Sequence, residues 1–244
     1  FEVKTNASLL KLLTGQGAVA GDPDWFLTNE YTIELRFMGL ECRMADESMM
    51  TARKAYLISL WNETDDKVAL GFYLKDVAGA FKYNWTYETT GSAEADLFTD
   101  RAYTVDQELH VAIQRRAGAA GGNDRFSLFE QGAAVQTDLE LTDPKLLTIT
   151  DVPWLVLGKG DNEKQNQFLF NTLFPARGFL KEIRIWRNAI SKAQITALYN
   201  RKLTSEEVRR YTQAGALAAY WAMNEPSGSV AYAQGNRMSL GPLI

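Results

Sequence analysis

Cysteine is almost absent from these 244 residues: Cys42 stands alone. No internal disulfide can form, and no metal site can be built from cysteines. Histidine is equally scarce, with only His110. That removes most zinc sites, which draw on several His or Cys ligands. No run of about 18 apolar residues occurs, so no helix is expected to span a membrane. Lys/Arg-rich runs are missing too, and the net charge of −4 speaks against a nucleic-acid partner. The one basic cluster, Arg201 and Lys202 with Arg209 and Arg210, flanks a short helical stretch and reads as a solvated face. No signal-peptide pattern is found. The opening at Phe1, without a methionine, reads as that of a mature or trimmed chain.

What is present is ordinary for a globular protein: 46% hydrophobic and 23% charged residues. A chain of this length buries roughly 70–75% of its extended surface and builds a core without staples. No linker, internal repeat or low-complexity tract divides it. One domain over residues 1–244 is expected.

Alternation of period two dominates. In Tyr31–Gly39, Tyr31, Ile33, Leu35 and Phe37 share a face against Thr32, Glu34 and Arg36. Ala55–Asn62 sets Tyr56, Ile58 and Leu60 against Leu57, Ser59 and Trp61. Residues 67–75 set Val68, Leu70, Phe72 and Leu74 against Ala69, Gly71 and Tyr73. Residues 81–89 put Phe81, Tyr83, Trp85 and Tyr87 on one face and Lys82, Asn84, Thr86 and Glu88 on the other. Further strands are expected at Glu108–Arg116, at Arg125–Glu130, at 133–137 beyond a Gln131-Gly132 turn, at 154–158 and at 216–223. Segments 15–24, 41–54, 91–101 and 158–167 read as loops. A strand from Gly178 runs through Trp186 toward a short helix, with Ser191 as N-cap and Gln194 completing a capping box. Thr204 and Glu207 form a second box. No βαβ alternation occurs. The pattern predicts an all-β, two-sheet antiparallel sandwich with one or two short helices near the C-terminus.

Three segments carry a resemblance. Glu108–Arg116 (ELHVAIQRR) resembles a W-H-H-V-A-V-x-R strand, and 126–132 (FSLFEQG) resembles L-Y-V-D-G. Residues 154–158 followed by 178–199 resemble L-x-I-G … G-x-I-D-E-V-R-I-W-N-x-A-L-S-x-x-E-I. Together they resemble LamG-like and pentraxin-like domains of the concanavalin A-like lectin/glucanase superfamily. The segment 217–228 (LAAYWAMNEPSG) resembles a motif that usually opens such domains and here closes the chain, an order similar to LamG-like modules of exported Bacteroidetes proteins. The resemblance implies a jelly roll at the cell surface or outside the cell. It also implies a glycan or protein ligand, and in some members a calcium ion. Glu130-Gln131 stands where relatives have Asp, and Leu109 where they have an aromatic residue.

Three chemistries follow. The glucanase branch uses a Glu-x-Asp-x-x-Glu strand whose two carboxylates sit about 5–5.5 Å apart for a retaining mechanism. Here Glu94-Ala-Asp96 lacks the third acid and falls in a loop-like stretch. His110 lies within a hairpin strand by the family match and reads as packed and hydrogen-bonded, not as a general base. Oxygen-rich turns at Asp22 and Asp24, at Asp65 and Asp66, and at Asp161 to Glu163 could offer ligands to calcium, but no metal-binding spacing singles one out. Sugars stack apolar C–H faces on aromatic rings. Tyr83, Trp85 and Tyr87, with Trp61 as a neighbour, are the candidate carbohydrate platform. The competing reading of that row is sandwich core. Trp154, Trp186 and Trp221 fall in core motifs. The expectation is a non-catalytic, carbohydrate-binding module of an exported protein. The alternatives are a structural or adhesion module, and a glycoside hydrolase.

Overall fold

Alternating side chains need two partners, a core on one side and solvent or a covering element on the other, and this chain supplies both twice. The computed structural model describes residues 2–4, 30–39, 54–62, 67–77, 79–91, 94–118, 123–141, 154–157 and 178–223. The strands are β1 (Glu2–Lys4), β2 (Tyr31–Gly39), β3 (Ala55–Asn62), β4 (Lys67–Val77), β5 (Ala80–Glu88), β6 (Glu94–Asp96) and β7 (Arg101–Ala102). They continue with β8 (Glu108–Arg116), β9 (Arg125–Glu130), β10 (Ala133–Glu140), β11 (Trp154–Leu157), β12 (Gly178–Trp186) and β13 (Leu217–Trp221). Two helices, α1 (Lys192–Leu198) and α2 (Ser205–Gln213), lie between β12 and β13.

The strands form two antiparallel sheets. One has seven strands in the order β1-β11-β3-β4-β5-β6, with β7 also on β5; the other has six in the order β10-β9-β8-β2-β12-β13. This is the expected two-sheet sandwich with short helices near the C-terminus. Segment 91–101, read from sequence as a loop, holds β6 and the start of β7. Three- and two-residue strands are too short for alternation to reveal.

The main core lies between the sheets. Ile33, Leu35 and Phe37 of β2 and Val111 and Ile113 of β8 meet Leu70, Phe72 and Leu74 of β4 and Tyr83 and Trp85 of β5. The outward face of the six-stranded sheet is covered by the chain's own helices. There Trp186, Phe129, Leu217 and Tyr220 pack with Ile195 and Leu198 of α1 and Val208 of α2. Thr204 and Glu207 close a full capping box on α2, whereas at α1 only the Ser191 hydroxyl accepts a bond, from the Gln194 backbone.

A buried charged network ties this cover down. Glu34 accepts hydrogen bonds from Trp186 Nε1 at 2.6 Å and His110 Nε2 at 2.8 Å, and Arg184 Nη1 lies 3.5 Å away. Arg184 also donates to Glu182 at 2.9 Å, to the Leu198 carbonyl at 3.1 Å, and to the Arg201 carbonyl. His110 is therefore packed and bonded, as its hairpin position implies. Burial acts to raise the Glu34 carboxyl, but the His110 and Trp186 bonds and the Arg184 and His110 charges outweigh it and hold the group below its ordinary value. The Gln131-Gly132 turn, with φ of +50° and +76°, tucks under α1, where the Tyr199 ring would meet a Cβ on Gly132 at 2.5 Å.

Candidate ligand-facing surface

Two members of the aromatic row of β5, Tyr83 and Trp85, are not part of a platform. Tyr83 is 0% and Trp85 1% exposed. Their rings pack on Phe72 at 5.5 and 5.2 Å, in the middle of the sandwich. A ring with no exposed face cannot stack on a sugar, so both residues belong to the core. Tyr87 and Phe81 are half-buried against the same core. Trp61 holds a place in β3 opposite Val68 and Trp154, and its side chain lies outside the described residues. The competing core reading accounts for the row, and period two alone does not say which sheet face points inward.

Two β-bulges decide the rest of this sheet. Tyr56 pairs with Tyr73 but Ile58 pairs with Phe72, so Leu57 is an extra residue; likewise Leu60 pairs with Leu70 and Trp61 with Val68, which leaves Ala69 extra. Each bulge reverses the alternation beyond it. Tyr56 and Val68, expected beside Ile58 and Leu70, therefore turn outward and cluster with Tyr73. Gly71 makes room for this cluster: a Cβ there would sit 2.6 Å from the Tyr56 ring and 2.7 Å from Val68.

Outward from the seven-stranded sheet, cross-strand rows can be read across β3, β4 and β5. Tyr56, Tyr73 and Asn84 form one row. The adjacent row is basic. Lys75 pairs directly with Lys82, and the pairing of Ala55 with Leu74 sets Lys54 opposite Lys75. The ammonium groups of Lys54 and Lys75 lie 4.7 and 5.5 Å from the Tyr73 ring centroid. Lys54 donates to the Thr86 hydroxyl at 3.0 Å and pairs with Asp96 at 2.8 Å; Lys75 pairs with Asp100 at 2.8 Å. Asn84 donates to the Phe98 carbonyl at 2.6 Å and to Asp100 at 3.2 Å. Tyr56 and Tyr73 are themselves buried beneath this layer. The accessible surface is polar.

Electrostatics follow from the layout. Burial acts to raise the Asp100 carboxyl, but hydrogen bonds from Lys75 and Asn84 and the charges of Lys75 and Lys82 hold it below the ordinary carboxylate value. Burial, with the Asp96 carboxylate, pushes the Tyr73 hydroxyl up and keeps it a neutral donor. That hydroxyl is buried and makes no hydrogen bond of normal geometry. Toward the other end of the face, Glu94 accepts from the Tyr56 hydroxyl at 3.3 Å and the Val68 backbone at 3.1 Å.

Glu130, which stands where the resembling family has Asp, accepts from the Tyr83 hydroxyl at 2.9 Å and from Arg101 at 2.9 and 3.2 Å. It braces one sheet against the other. Leu109 fills core space in place of the family's aromatic residue. Among the described residues no group of His, Cys, Asp and Glu is placed to hold a metal. The turns considered for calcium, at 22–24, 65–66 and 161–163, lie outside the described residues. No described helix is long and apolar enough to cross a membrane.

Sequence reasoning missed the basic row because Lys75 and Lys82 lie on β4 and β5 and Lys54 just before β3, and only register brings them together.

No family model matches this chain, and no curated protein matches its sequence. Its structure is similar to several solved ones at low identity. A heptameric SAP-like pentraxin from Limulus polyphemus has a TM-score of 0.49 at 14% identity, over 70% of each chain. The CBM40 of a Ruminococcus gnavus IT-sialidase, bound to α2,3-sialyllactose, has a TM-score of 0.46 at 16% identity, over 73% of this chain and 89% of that one. Domain 4 of a GH43 extracellular arabinanase from Geobacillus stearothermophilus, in complex with arabinotriose, has a TM-score of 0.42 at 15% identity, over 70% and 67% of the two chains.

Proposed function

We propose that this chain is a non-catalytic carbohydrate-binding module of an exported or cell-surface protein, and that it binds through the outward face of its seven-stranded sheet. One observation carries the choice of face. The six-stranded sheet is covered on its outer side by α1 and α2, whereas the outer side of the other sheet carries Lys54, Lys75, Lys82, Asp96 and Asp100, none of them buried. Hydroxyl-reading groups in neighbouring rows suit a saccharide, whose hydroxyls need both donors and acceptors. The motif resemblance supports the same class of function and the exported setting.

The non-catalytic reading rests on the state of the carboxylates. A glycosidase acid needs a raised pKa. Asp100 is held low, Asp96 is paired with Lys54, and Glu94 is taken up by Tyr56 and a backbone amide. A polysaccharide panel, with sialyllactose and arabinotriose included as probes, tests the proposal by calorimetry and by reducing-sugar release. Binding without release is expected. Release of reducing sugar overturns the non-catalytic reading. Failure of every saccharide to bind leaves the adhesion module in its place.

A further inference from the structure

We infer that the saccharide this face takes is anionic, carrying a carboxylate or sulfate that sits on the row formed by Lys54, Lys75 and Lys82; this deepens the carbohydrate reading and rests on it.

The row is costly for the fold. Strands in a sheet lie about 4.8 Å apart, and like charges directly opposite one another destabilise the pair. Lys75 and Lys82 are directly opposite. Lys54, immediately before β3, continues the row, since Ala55 pairs with Leu74. The two nearby carboxylates are committed to Lys54 and Lys75, at 2.8 Å each. Lys82 is half-buried and, among the described residues, makes no hydrogen bond or ion pair, although its charge is felt at Asp100. Among the described residues the row and its paired carboxylates therefore hold three ammonium groups against two carboxylates, so one ammonium has no ion pair of its own there. Beneath Lys54 and Lys75 lies the buried Tyr73 ring.

The chemistry of the surrounding face narrows the ligand. Neutral sugars gain much of their affinity from stacking on open aromatic faces. Here Tyr56, Tyr73, Tyr83 and Trp85 are all buried. Affinity must come from charge and hydrogen bonds, and charge-assisted hydrogen bonds are the strong ones. Asn84 and Thr86 are buried and bonded within the protein, so the contacts to the ligand fall to the lysines and to Asp96 and Asp100. A nucleic acid is disfavoured by the net charge of −4.

The experiment titrates the protein with polygalacturonate (carboxylate), dextran sulfate (sulfate), neutral dextran and polyglutamate at two salt concentrations. It is repeated with K75Q, K82Q and, as a remote charge control on α2, Arg209→Gln. Thermal melting is recorded for each variant. Binding to polygalacturonate or dextran sulfate is expected, weakening with salt. K75Q and K82Q should each weaken it about tenfold, the scale of one hydrogen bond to a charged group. Arg209→Gln should leave it unchanged. K82Q should melt no lower than the parent, because it removes a like-charge pair. Equal loss in the Arg209 variant, or no loss in K82Q, overturns the inference. So does polyglutamate binding as tightly as the saccharides, which would point to an acidic protein. Binding of neutral saccharides alone overturns the anionic ligand and leaves the carbohydrate reading standing; binding of no saccharide removes both.

Discussion

Trp85 is packed between the sheets with its ring centroid 5.2 Å from that of Phe72. Trp85→Ala removes a buried indole and leaves a cavity, so it should cost about 3–5 kcal/mol in urea denaturation. A loss under 1 kcal/mol, about the cost of a volume-conserving core swap, would mean the ring is not core. The residue also marks the limit of sequence reading. Its period-two neighbours were legible as one face, but four aromatics in a row suit a core and a sugar platform alike. The same holds for Tyr56 and Val68. Alternation placed them beside Ile58 and Leu70, and the bulged residues Leu57 and Ala69 turned them to the opposite face. Nothing in the identity of Leu57 or Ala69 announces a bulge.

At the scale of elements, α1 and α2 are held by polar groups that strands β2, β8 and β12 present outward. Arg184 joins Glu34 and Glu182 to the carbonyl end of α1. Arg184→Ala takes one partner from each of two buried carboxylates, leaving Glu34 with His110 and Glu182 with Arg36, and should cost about 3 kcal/mol, read as a lowered urea midpoint. Acid should loosen the same region. Glu207 is pushed down to about 2, chiefly by its bond from Arg201 and then, against burial, by the Thr204 backbone donor. Its folded value lies below the unfolded one, so its contribution is full above about pH 4.3. That contribution is lost as pH falls toward about 2. Glu34, also held low, has the same sign. Urea midpoints measured from pH 6 to pH 2.5 should fall for the parent and fall less steeply for Glu207→Gln. Parallel curves would contradict the assignment. The Thr204–Glu207 box was legible because capping is a local code. Strand β6 was not, since three residues carry no period and owe their state to pairing with β5.

For the whole molecule, the sandwich was readable because long strands, frequent turns and two late capped helices leave few other architectures. The hairpin at Glu108–Arg116 and Arg125–Glu130 and the strand–helix ending from Gly178 lie together in the six-stranded sheet. The candidate site was not readable, because it lies mainly in the other sheet and depends on the register of the consecutive strands β3, β4 and β5, which the bulges shift. Its groups come from Lys54, Lys75, Lys82 and Asp100, and no spacing in the chain links them. Fold and site are separate questions here, as they are in general.

The most direct test of the central claim is amide chemical-shift mapping by NMR during titration with the saccharide that binds best in the panel. Shifts should concentrate on β3, β4 and β5 around Lys54, Tyr73, Lys75, Lys82 and Asn84, with α1, α2 and β13 unmoved. Shifts concentrated on the helices, or spread without focus over both sheets, would contradict the account.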